Sequence, residues 1–173
     1  MSEELYDDQV PAATKKSASR TKEDTVLDRL RETISKKVER PTVFIDVPAR
    51  DGVKLRIAPN ITQNQMKAWR RNSGEDTKNG MDATKFACYV VGSCTTGIFI
   101  AGEEVFDSDG NRMNFASQEI LDMTGTGRPV PDAVRAFFGI DPHVESAALA
   151  VLDAAGYSDT VEAEDPTMGS STN

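Results

Sequence analysis

Arg128 to Tyr157 reads RPVPDAVRAFFGIDPHVESAALAVLDAAGY, a dense, apolar and helical stretch. Pro131 suits the first turn of a helix, where its missing N–H costs nothing, and Asp132 suits the positive end of the helix dipole. Val134, Phe137 and Phe138 then share one face at spacings of three and four. Gly139 reads as the C-cap. Asp141-Pro142 reads as N-cap and N1 of a second helix with a buried stripe of Val144, Ala147, Ala148, Val151 and Leu152, ended by Gly156. Two short helices across a tight glycine turn predict an αα-hairpin. The stretch carries no nucleophile, metal cluster or phosphate loop and points to binding.

Upstream of this pair the text changes period. Val43-Phe44-Ile45-Asp46-Val47 and Val53-Lys54-Leu55-Arg56-Ile57 flank Pro48 and an Arg50-Asp51-Gly52 turn, which reads as a β-hairpin with one buried and one wet face. ITQNQMKAWRRN follows as a helix with Thr62 as N-cap. A polar loop leads to a helix that starts at Asp82 and carries Phe86, Tyr89 and Val90. From Gly97 the sequence IFIAGEEVFDSDGNRMNF predicts a second hairpin with Asp109-Gly110 at its tip. Ser117 caps a short helix with Ile120 and Leu121, and Gly125-Thr126-Gly127 links it to the pair. The fold class expected is α+β, a small helical domain over 41–157 with one or two β-hairpins.

The ends read differently. Residues 1–24 are polar and predict a flexible arm, and 158–173 carry Asp159, Glu162, Glu164 and Asp165 with no basic residue, an acidic disordered tail. Between arm and domain, Val26, Leu27, Leu30, Ile34 and Val38 recur at helical spacing and predict an amphipathic helix from Thr25 to Glu39, closed by Pro41.

A net charge of −8 and a pI near 4.7 argue against general nucleic-acid binding, which needs a basic surface. Lys67, Arg70 and Arg71 around Trp69 could form a local basic and aromatic patch, but a partly buried Trp flanked by solvated cations explains the same residues. No apolar run is uniform enough for a membrane span, and no secretory signal is read, so the chain is expected in the cytoplasm with Cys88 and Cys94 as reduced core residues. Their spacing does not suit zinc.

Asp107-Ser108-Asp109-Gly110-Asn111 resembles the opening of a calcium loop, but the glycine falls fourth and Gln118 stands where a bidentate Glu is required, so a turn is expected. His143, the only histidine, has helix-start neighbours and not orienting partners. Gly125 to Arg128 lacks the lysine of a phosphate loop. No cofactor and no metal are implied, and no enzymatic activity is expected.

Taken together, VFIDVPARDGVKLRIAPNITQNQMKAWRRN, the GIFIAGEEV hairpin with FASQEILDM, and PVPDAVRAFFGIDPHVESAALAVLDAAGY resemble the tail assembly chaperones of long-tailed bacteriophages infecting actinobacteria, over about Val43 to Asp165. The resemblance implies a non-enzymatic protein of the host cytoplasm. Its partner would be the long, helical tape measure protein, which it keeps soluble until tail tube subunits polymerise around it. It also implies absence from the mature virion and a longer form made by ribosomal frameshifting near the acidic end. The residues read as carrying the partner contact are Trp69, Val134, Phe137, Phe138, Val144, Ala148 and Val151, with small alanines allowing close helix approach. A structural tail or head-completion protein is the alternative, and a small nucleic-acid-binding regulator the third.

Overall fold

The computed structural model describes residues 20–127 and 130–158. The expected arm and acidic tail fall outside them, except for 20–24, which begin a helix, and Ser158. The chain divides between Glu39 and Arg40 into two compact units.

The first unit holds α1 (Arg20–Ser35), which both begins and ends earlier than the periodicity predicts. The Ser35 hydroxyl donates to the Glu32 carbonyl at 2.8 Å and competes for the last turn. Asp28–Arg31 and Glu32–Lys36 pair along its polar side at 3.2 and 3.6 Å. Val26, Leu27, Leu30 and Ile34 are exposed.

The second unit is α+β. Strands β1 (Val43–Asp46) and β2 (Val53–Ile57) form the expected hairpin, with Val43 opposite Ile57 and Asp46 opposite Lys54. Helices α2 (Gln63–Asn72) and α3 (Ala83–Cys94) follow, and β3 (Thr95–Ile100) then returns antiparallel to β2. β4 (Glu103–Glu104) completes a single four-stranded antiparallel sheet in the order β1-β2-β3-β4. The second hairpin therefore exists, but its tip is Ala101-Gly102, where both residues have positive φ, 51° and 84°. That is the turn that suits the twist of the flanking strands. Asp109-Gly110 sits instead in a wider turn beyond it, closed by the Phe106–Arg112 bridge.

The local signals act as physics requires. Thr62 and Gln65 form a reciprocal capping box at the start of α2, and Asp82 accepts from the Lys85 N–H at the start of α3. Ser117 precedes α4 (Gln118–Thr124) but makes no side-chain cap bond, because its hydroxyl is engaged by the Asn114 N–H at 3.0 Å. α5 (Val130–Phe138) and α6 (Asp141–Ala154) meet across Gly139 at φ 74°. Ile140, not Asp141, is the N-cap of α6, and the Asp141 carboxylate is drawn back to the Arg135 guanidinium at the end of α5.

The expected αα-hairpin is present in sequence order, yet α5 and α6 each pack chiefly on α3 and less on one another. α3 is the hub because it is buried on both sides. Ala87, Cys88, Val90, Val91 and Cys94 join Val134, Phe138, Val144 and Val151 in one core with the inner sheet residues Leu55, Ile57 and Ile98. Gly92 allows the closest approach: a Cβ there would lie 3.0 Å from methyls of both Val130 and Val134. On the outer sheet face Arg56 lies over Phe99 at 5.5 Å and pairs with Glu104 at 2.8 Å, and Gly97 leaves it room.

Candidate functional site

Six of the residues read as partner contacts belong to the core. Trp69 is 6 % exposed, Ala148 4 %, and Val134, Phe138, Val144 and Val151 0 %. Phe137 is half-buried and edge-on to Phe115, with centroids 5.2 Å apart. Adjacent aromatic side chains on a helix diverge by about 100°, but here both turn inward, since α5 is covered from two directions. The six buried side chains support the surface that any partner would meet without reaching it themselves. The indole of Trp69 has no face free for base stacking, while Arg70 and Arg71 reach toward Glu75 and Asp76, each at 4.0 Å. The patch thus loses its ring to the core, and two of its cations have carboxylates beside them.

Chemistry at the other singled-out residues is equally structural. Asp107 accepts from the N–H groups of Asn111 at 2.6 Å and Asp109 at 3.0 Å, and the Asn111 N–H foremost holds its carboxyl below the usual range. Its oxygens serve the turn. Burial pushes the Cys88 thiol up to about 12, against the pull of Arg135, and that of Cys94 to about 11. Both are free and protonated at neutral pH. His143 is half-buried on α6 with an unpartnered Nδ1, and no carboxylate orients it. Among the described residues no group of three or more His, Cys, Asp and Glu could hold a metal, and no helix is long and apolar enough to cross a membrane. Arg128 of the linker lies outside the described residues.

Concave surfaces lie at two places among the described residues. One, about 540 Å³, lies between α2, α3 and the start of α5, where Trp69 and Tyr89 meet Asn72, Ser93 and Asn114. Its lining contains no acid, base or activated nucleophile that could form a catalytic pair. The other is a recess of about 220 Å³ between α3 and α6, lined by Met81, Phe86, Ala148, Leu149 and Leu152 with Glu145 at its edge. It continues past Leu149 and Leu152 into a shallow hollow of about 500 Å³ bounded by Asp153 and Tyr157.

Leu149 is 68 % exposed, Tyr157 43 % and Met81 41 %, and the two hollows share Leu149 and Leu152, so they adjoin as one apolar trough along α6. An exposed contiguous apolar strip with carboxylates beside it has the form of a protein-docking surface. Sequence periodicity picks out the buried stripe of α6 and passes over Leu149, which falls off that stripe. Leu152, read as part of that stripe, is only half-buried, and Leu149 and Met81 could have been found only as large apolar residues unused by the predicted core.

The rim is built, not merely adjacent. The Thr84 hydroxyl on α3 donates to Glu145 Oε1 at 2.6 Å, and the Ser158 hydroxyl donates to the Asp153 carboxylate. Glu145 is thereby held beside the apolar strip, and the two carboxylates stand on either side of Leu149 at i−4 and i+4. Comparison with family models, curated proteins and solved structures finds no match to this chain.

Proposed function

We propose that this chain is a non-enzymatic tail assembly chaperone that binds a phage tape measure protein and keeps it soluble during tail assembly, in the host cytoplasm, leaving before the particle is complete. The observation that carries the reading is the apolar trough between α3 and α6. A long helical partner aggregates through its apolar stripe, and a shallow trough with exposed Leu149 and half-buried Phe86 and Leu152 covers such a stripe one or two turns at a time. The net charge of −8 favours solubility of the complex. The sequence resemblance to tail assembly chaperones supplies the identity of the partner. The tail tube protein and a frameshifted longer form belong to the same reading.

The test is affinity purification of the tagged chain from phage-infected cells, with mass spectrometry of the eluate and of purified virions. Tape measure protein in the eluate and absence of this chain from virions are expected. Stoichiometric presence in virions would favour the alternative, a structural tail or head-completion protein, for which one observation speaks. β1 is an edge strand whose outer side carries no partner strand among the described residues, and edges of this kind template subunit pairing.

A further inference from the structure

The trough's charge pattern specifies its occupant more closely than its apolarity does. α6 contains Asp141, Glu145 and Asp153 and no lysine or arginine, and α3 contributes one basic residue, Lys85, which is not part of the lining. Glu145 and Asp153 stand on the same ridge as Leu149, one helical turn before and after it, about 12 Å apart along the axis at 1.5 Å per residue. Glu145 is held by the Thr84 hydroxyl, so little of its side-chain freedom is lost when a cation pairs with it, and Asp153 is exposed to the same partner. A partner helix lying over Leu149 with carboxylates of its own would place like charges together beside a desolvated apolar contact. One with Lys or Arg flanking its apolar stripe would close two ion pairs.

We propose that the α3–α6 trough selects cationic amphipathic helices, an apolar stripe flanked by Lys or Arg at spacings that meet Glu145 and Asp153, and rejects helices of equal apolarity with acidic flanks. This rests on the reading of the trough as a helix-binding site. It adds the chemical class of segment recognised within the partner: along a long helical chain the basic-flanked stretches are the docking points, and the acidic ones are left free.

The probes are two fluorescent helical peptides sharing one apolar stripe, one flanked by Lys and Arg and the other by Glu, titrated against the full chain and its variants by anisotropy at low and high salt. The cationic peptide is expected to bind about five- to tenfold more tightly than the acidic one, the scale of two exposed ion pairs, with the difference shrinking as salt rises. Glu145→Gln with Asp153→Asn should abolish that preference, and Leu149→Ser should weaken both peptides while the melting temperature stays close to that of the parent. If both peptides bind equally, or the preference survives the double neutralisation, charge selection is overturned while the helix-binding reading stands. If neither binds, both fall. A dimer that Leu149→Ser converts to monomer would make a second copy the occupant and overturn the proposal.

Discussion

Cys88 and Cys94 show how far burial alone fixes chemistry in this protein. Their thiols, raised to about 12 and about 11 by desolvation, should resist alkylation at pH 8 in the native chain and react at once in denaturant, which mass spectrometry of iodoacetamide adducts reads directly. In the unfolded chain the thiols ionise near 9 and in the folded one they do not, so their contribution is fully present below pH 9 and is lost as the pH climbs through the folded values. Denaturant melts between pH 8 and 10.5 should show that decline, and a double Cys→Ala variant should flatten it. At Ala101 the backbone, not burial, is strained. A non-glycine residue at φ 51° in a two-residue turn carries a cost that Asn tolerates better, so Ala101→Asn should raise stability by about 0.5–1 kcal/mol in thermal denaturation.

Elements whose signals are local were legible in the sequence, and Thr62 is the clearest case. Its capping box with Gln65 spans four consecutive residues, and Thr62→Ala should cost about 1 kcal/mol of stability by chemical denaturation. The Asp82 cap and the β1–β2 hairpin were readable for the same reason. The second hairpin was misplaced, since Asp109-Gly110 is the stronger turn signal and Ala101-Gly102 carries none at its first position. Gln118 and Ile120 obey the helix pattern, but the engagement of Ser117 by Asn114 is invisible to periodicity. The joining of both hairpins through β2 and β3 was also beyond reach, because that pairing crosses two helices. At the α3–α5 contact, Gly92→Val would push into Val130 and Val134 and should cost about 1–3 kcal/mol, read from the shift in denaturation midpoint.

For the whole molecule, α+β architecture followed from composition and period, whereas the candidate site did not. Val134, Phe138, Val144, Ala148 and Val151 were singled out because apolar helical stripes are conspicuous in a sequence, and such stripes are what a fold buries first. The trough is lined instead by residues left over once the core is satisfied, Met81, Leu149 and Tyr157 among them, and which residues are left over depends on the packing of α5 and α6 on α3. We propose that this leftover surface holds an aggregation-prone helical partner. Co-expression of the tape measure protein with the intact chain or with Leu149→Asp tests it most directly, through the fraction of tape measure protein that stays soluble and co-purifies. Leu149 is 68 % exposed, so the variant should fold with an unchanged melting temperature while soluble tape measure protein falls to the level seen without the chain. Full solubilisation by a folded Leu149→Asp, or none by the intact chain, would contradict the claim.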